Sequence, residues 1–377
     1  MKRILFVILF VAVGTPPASA GGLELSGSQI TVGEGLVTGA AFYEQRELLF
    51  VQQEIYIPPA VATQRGRTQR QISSWGLKSH SMLRQRRFEP ESWEFPGCGR
   101  VEVSSKTNRI LLCSADSYLE ELDPDTLRTV GRIASGNDQY IYDFAVDEAR
   151  GRVYVLSVHG KGFPLSVASY SLVDGFQLQE AVLPPTTGTK IKLGINLKDG
   201  QVAVAVDHND SRREKTDIYV CESRAALDCT SVAVVPRLLN IDLLGRELLG
   251  ATDASADHKK ECLIGVDLGT HSVSHEYCCP STGVHWALGV AGGNYIVAFT
   301  GTARRVWWRE ESTSHESSFS VWRVEDPQVA AVAKEPANFG SRQFGASIFV
   351  SRKEPWFVAH VGDSNVLYVY SIRERSE

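Results

Sequence analysis

Seven times along this 377-residue chain the same short phrase recurs, and it leaves few folds open. The phrase is an apolar strand following a polar turn: RELLFVQ (46–52), NRILLCS (108–114), GRVYVLS (151–157), GQVAVAV (200–206), GRELLGA (245–251), GNYIVAF (293–299) and EPWFVAH (354–360). Before each turn, in stretches such as DEARG or AGGN, lies another apolar strand. With Leu48, Ile110, Val153, Val202, Leu248, Tyr295 and Trp356 as markers, the intervals are 62, 43, 49, 46, 47 and 61 residues, so two insertions interrupt a regular array. Alternating β-branched and aromatic residues bounded by Gly, Asn and Asp are hairpin signals. Beyond the first twenty residues no stretch sustains an apolar stripe of helical period. A repeat of about 40 to 50 residues holding four strands is the period of a propeller blade. The expected fold is therefore all-β, a seven-bladed β-propeller of four-stranded antiparallel blades. VTGAAFY (37–43), LGIN (193–196), WALGV (286–290) and FGASIFV (344–350) carry Gly and Ala, as strands crowding the axis require. The last unit shows three strands, ending in VLYVYSI (366–372), while LELSGSQITVG (23–33) has no unit of its own. That N-terminal strand is expected to complete the last blade and close the ring.

Residues 1–20 read as a signal peptide. Lys2 and Arg3 precede the apolar run Ile4 to Gly14, and Ala18-Ser19-Ala20 supplies a cleavage site. A single domain is expected over 21–377. The apolar run is too short to span a bilayer, so no membrane span is expected, and the predicted location is periplasmic or secreted. The formal net charge of -5 becomes -7 without Lys2 and Arg3, which argues against nucleic acid as a partner. Seven cysteines in an exported chain invite pairing. Cys98 and Cys113 flank one hairpin, Cys221 and Cys229 another, and Cys262 faces Cys278 or Cys279 across a third.

At LEELDPDTLRTVGRIASG (119–136) the chain resembles the YVTN-type propeller repeats. Asp123, Pro124, Asp125 and Thr126 form the turn, and Val130, Ile133 and Gly136 mark the returning strand. The match covers one unit; the others keep the rhythm with different residues. The resemblance implies seven blades and frequent extracytoplasmic placement. It does not choose an activity, since such propellers include ligand binders, scaffolding subunits, lactonases and lyases.

Two segments have binding composition. From Ile55 to Phe88 there are seven cations, Arg65, Arg67, Arg70, Lys78, Arg84, Arg86 and Arg87, and no acid, with Trp75 and Met82 interleaved. Read as a loop joining the second and third strands of its unit, this run is either an anion-facing surface or a solvated loop balancing an acidic body. In TARRVWWREESTSHESS (302–318), Trp307 and Trp308 sit among arginines, either as an exposed hot spot or packed on a strand. Histidines and acids from several units fall in loops expected on the same face, with His159, His208, His258, His360, Asp207 and Asp253 as the set that would hold a divalent metal. No cofactor is predicted. The chain has no Gly-rich phosphate loop, HExxH, nucleophile elbow or haem-attachment motif. The leading expectation is an exported, non-catalytic propeller that binds an anionic ligand or a protein through insertions on one face. The alternatives are a metal-assisted lactonase, hydrolase or lyase, and the large propeller subunit of a periplasmic dehydrogenase.

Overall fold

The computed structural model describes residues 22–59, 66–92, 98–114, 118–134, 139–159, 164–183, 195–198, 201–210, 213–223, 226–236, 238–244, 247–252, 262–270, 272–278, 284–306, 309–324, 326, 329–334, 346–361 and 365–375. The first strand, β1 (Leu23–Thr31), belongs to the last blade. Blade 1 holds β2 (Leu36–Tyr43), β3 (Leu48–Ile57), β4 (Arg67–Gly76) and β5 (Met82–Arg87), with the two-residue β6 (Glu91–Ser92) also paired to β4. Blade 2 holds β7 (Val101–Ser104), β8 (Arg109–Cys113), β9 (Tyr118–Leu122) and β10 (Thr129–Ala134). Blade 3 holds β11 (Gln139–Asp147), β12 (Arg152–His159), β13 (Leu165–Ser171) and β14 (Gln177–Val182). Blade 4 holds β15 (Ile195–Lys198), β16 (Gln201–Asp210), β17 (Arg213–Ser223) and β18 (Leu227–Pro236). Blade 5 holds β19 (Leu238–Leu244), β20 (Glu247–Thr252), β21 (Cys262–Asp267) and β22 (Ser272–Cys278). Blade 6 holds β23 (Val284–Ala291), β24 (Tyr295–Val306), β25 (Arg309–Arg323) and β26 (Val329–Lys334). Blade 7 holds β27 (Ala346–Val350), β28 (Trp356–Val361) and β29 (Val366–Glu374), and β1 pairs along β29 from Leu23↔Glu374 to Thr31↔Val366. The seven-bladed fold and its N-terminal closing strand are as the repeat requires.

The second strand of each blade reads as an apolar run because both of its faces are covered by neighbouring blades. Leu49, Phe50 and Val51 of β3 are fully buried, as are Ile110, Leu111, Leu112 and Cys113 of β8. Successive side chains go to opposite interfaces. Leu49 and Val51 pack with Val358 and Leu367 of blade 7, whereas Phe50 packs with Ile110 and Leu112 of blade 2. The remaining clusters join blades 2 to 3, 3 to 4, 4 to 5, 5 to 6 and 6 to 7, so the core is a ring of wedges between blades. β1 serves two of these wedges: Leu23 packs on the blade 6 side of blade 7 and Ile30 on the blade 1 side. Gly27 lies between them, where an added Cβ would come within 2.7 Å of the Tyr370 ring.

The turn that carries the YVTN-like residues is built by Asp123. Its Oδ1 accepts the N–H of Asp125 (3.1 Å), the N–H of Thr126 (2.8 Å) and the Thr126 hydroxyl (2.8 Å). The Thr126 hydroxyl chiefly, and then the N–H donors, hold this carboxyl below its ordinary range. Disulfides join Cys98 to Cys113 and Cys221 to Cys229, as expected from their hairpins. Cys262 is disulfide-bonded and stands opposite Cys278 in the β21–β22 register; Cys279 lies outside the described residues. Among the described residues no helix is long and apolar enough to cross a membrane.

Among the described residues the basic run from Ile55 to Phe88 is mostly strand and not a loop, which corrects the expectation from sequence. It supplies β4 and β5, the third and outer strands of blade 1. β4, RTQRQISSWG, lacks an apolar alternation because its buried positions include Arg70, Gln71, Ser73 and Ser74; Arg70 donates to the Cys113 carbonyl, Gln71 to Gln53 Oε1 at 2.8 Å, and Ser73 accepts from the Trp75 indole.

Candidate functional site

Two places gather charged side chains, the axis and the outer edge of blade 1. Around the axis a cavity of about 540 Å³ is lined by the inner strands β2, β7, β11, β19, β23 and β27. A volume of this size is typical of ligand pockets. Blades 2, 3 and 7 each bring two charged residues to it and blades 1 and 5 one each. Arg100, just before β7, donates Nε to Glu102 at 2.8 Å and Nη1 to Asp143 of β11 at 3.2 Å. Arg352, from the turn after β27, approaches Glu102 at 3.6 Å, and Lys353 approaches Glu148 at 3.8 Å. Blade 7 thus reaches across the axis to blades 2 and 3.

Further lone pairs in this group are taken by backbone N–H groups and by one hydroxyl. Asp143 Oδ1 accepts the N–H of Phe144 at 2.9 Å, and Asp242 of β19 accepts those of Leu243 and Val290 at 2.8 Å each. Glu148 accepts the Ser105 hydroxyl at 2.9 Å and that residue's N–H. Burial pushes the Glu102 carboxyl up, but Arg100, Arg352 and the Arg100 hydrogen bond outweigh it and hold the group below the ordinary carboxylate range. Burial likewise favours loss of the Arg100 proton, and Asp143, Glu102 and Asp242 more than reverse this. The network joins blades 2, 3, 5 and 7, and its carboxylates are engaged as acceptors. It acts as an electrostatic tie across the ring.

These axial residues escaped the sequence analysis because each contributing blade supplies only one or two of them and their partners are distant in sequence. One signal was present. Asp143 in YDFAV and Asp242 in NIDLL interrupt otherwise apolar inner strands, and a charge inside such a strand must have a partner across the axis.

The basic residues expected to form one surface divide into three roles. Arg70 is only 2% exposed, donates to the Cys113 carbonyl oxygen, and stacks on Phe88 with its guanidinium carbon 4.9 Å from the ring centre. Arg86 covers the same ring at 4.4 Å and ties blade 1 to blade 2 through the Leu127 carbonyl (2.8 Å) and Glu120 (3.3 Å). Arg67, Arg84 and Arg87 are exposed. Trp75 is buried and donates its indole N–H to Ser73 Oγ at 2.8 Å. Arg70 and Trp75 therefore belong to the interior, contrary to the loop expectation, because flanking blades cover both faces of β4.

Of the metal candidates, His360 lies buried within β28, between Ser347 and Leu367 of the adjoining strands, and not on an open face. Asp207 and His208 lie on β16, paired with Thr216 and Lys215, so that segment is hairpin strand where a loop was expected. His159 ends β12 opposite Gln139. His258, Asp253, Arg65, Trp307 and Trp308 lie outside the described residues. On either side of the two tryptophans β24 and β25 pair as far as Val306↔Arg309, an extended hairpin in place of the expected loop. Among the described residues no group of three or more His, Cys, Asp or Glu is placed to hold a metal ion.

No family model and no curated protein matches the chain. Among solved structures it is similar to the crystal structure of BamB from Moraxella catarrhalis, with a TM-score of 0.50 and 10% sequence identity over 89% of this chain and 86% of that chain. At that identity the likeness shows the propeller fold alone.

Proposed function

We propose that this protein is an exported, non-catalytic propeller that binds an anionic protein partner on the outer edge of blade 1. Export is supported by the N-terminal leader pattern and by two disulfides, which persist in oxidising compartments. One observation carries the binding function. β5 is the outermost strand of its sheet, every residue on it but Arg86 is exposed, and it places Arg84 and Arg87 beside Met82 and Leu83, which are 48% and 54% exposed. Arg67 is exposed further along on β4, where it pairs with Ser92 of β6, and the stretch from 55 to 88 contains no carboxylate. The rest of the chain is net acidic, so this is a local attraction set against an unfavourable global field.

The test is binding of the purified protein to immobilised polyglutamate as salt is raised. Wild type is expected to bind and to weaken with salt, since exposed charges are screened within about 10 Å at 0.1 M ionic strength. Replacing Arg67, Arg84 and Arg87 by serine removes three exposed attractions of about 0.2–1 kcal/mol each, giving a loss of about tenfold. A control replacing Lys106, Arg373 and Arg375, also exposed, changes the net charge identically. Equal losses in both variants would reduce the effect to overall charge and contradict a blade 1 site.

A further inference from the structure

Resting on the anionic-partner function above, we propose how the partner docks: an acidic, extended segment of its chain adds as a strand to the open edge of β5. The backbone fixes the phase. Phe88 donates its N–H to the Arg70 carbonyl at 2.9 Å, so in the antiparallel ladder the alternate residues Arg86 and Arg84, opposite Ile72 and Ser74, also turn their peptide groups toward β4. Gln85 and Arg87, opposite Ser73 and Gln71, are the intervening residues. Their N–H and C=O groups point away from the sheet, and among the described residues no strand lies beyond them. An edge of this kind is a template for another strand.

Side-chain placement specifies the chemistry of the guest. Arg84 lies on the blade 2 side of the sheet, with Ile72 and Arg86, and Arg87 lies on the blade 7 side, with Gln71. A strand laid beside β5 therefore meets a cation on each of its faces, and cross-strand pairs of opposite charge are favourable where like charges are not. The strand that fits is acidic on both faces and apolar at the end that meets Met82 and Leu83. The outer strand of blade 3 makes the contrast. β14 exposes Leu178 and Val182 but carries Glu180, which would repel the same guest. The competing explanation is that the arginines only guard the edge against self-association, a common use of edge charges. In that case no acidic strand is taken up.

The experiment measures fluorescence anisotropy of a labelled peptide of alternating glutamate pairs and threonine pairs, which puts glutamate on both faces of a strand, with a terminal leucine pair. Proteins are wild type, Gln85→Ala, Gln85→Pro, and the serine triple variant at 67, 84 and 87. Proline at 85 removes an outward donor while leaving the bonds to β4 in place, so its melting curve is expected to stay close to that of Gln85→Ala. A peptide N-methylated at alternate amides probes the same hydrogen bonds without changing the protein. Wild type and Gln85→Ala are expected to bind the plain peptide alike. The proline variant, and the methylated peptide on wild type, are each expected to bind about tenfold more weakly or worse. If both bind as well as their controls while the serine variant loses binding, the basic surface stands and strand addition is overturned. If the serine variant binds like wild type, or wild type does not bind, the anionic-partner function falls with it.

Discussion

Replacing Ile30 by alanine tests how the ring is closed. Ile30 is 1% exposed and is the residue through which β1 enters the wedge between blades 7 and 1, among Val37, Leu49, Val51, Val358 and Leu367. The substitution removes three buried carbons, worth about 2.4 kcal/mol at about 0.8 kcal/mol each. The residual cavity adds to this, because a wedge held on both sides by sheet backbone cannot collapse, giving about 3–4 kcal/mol in all. Gln29→Ala, one position away on the exposed side of the same strand, is expected to stay within about 0.5 kcal/mol. The assay is urea denaturation of the two variants and wild type, comparing midpoints at unchanged slope. Near-identical midpoints for Ile30→Ala and Gln29→Ala would show that β1 merely lies against blade 7 and does not close the ring.

Three further outcomes follow from the same structure. Arg70→Ala is expected to cost about 2–4 kcal/mol in the same assay, because it deprives the Cys113 carbonyl of its charged donor and leaves a cavity over Phe88, whereas Arg87→Ser should be close to neutral. Removing the Cys98–Cys113 disulfide by paired alanine substitution should cost about 3 kcal/mol, the loop-closure value for a separation of 15 residues, read as a lower melting temperature under non-reducing conditions. Glu102 has a folded-state pKa below its unfolded value, so its contribution is present above the unfolded carboxylate pKa of about 4.3 and is lost as pH falls through the depressed folded value. Melting temperature measured from pH 6 down to about pH 3 should therefore fall more steeply for wild type than for Glu102→Gln; parallel curves would remove Glu102 from the axial tie.

The ring was legible because burial on both faces forces each second strand to be written in apolar residues, and a run such as RVYVLS cannot be mistaken when it returns six more times. The closing strand was legible by subtraction, since LELSGSQIT had no partner in its own part of the chain. β4 and β5 were not. The periodicity of β4 is hidden because Arg70, Gln71, Ser73 and Ser74 are buried, so polarity there marks interior and not loop, while β5 is an exposed edge with a polar sequence. Arg70 and Arg84 are indistinguishable by composition, yet one stacks under blade 2 and the other faces solvent, a distinction set by strand register alone. The axial network was illegible for the same reason in a different form: Arg100, Asp143, Asp242 and Arg352 are distant in sequence and meet only when the ring closes.

The blade 1 edge is tested most directly by amide hydrogen exchange of the protein with and without the peptide of alternating glutamate and threonine pairs. Slowed exchange is expected at Gln85 and Arg87, whose N–H groups face outward, with Arg84 and Arg86, already bonded to β4, changing little. Protection that falls instead on the β24–β25 hairpin or around the axial cavity would contradict the account and move the binding site off blade 1, and a bound peptide that leaves Gln85 and Arg87 unprotected would overturn strand addition.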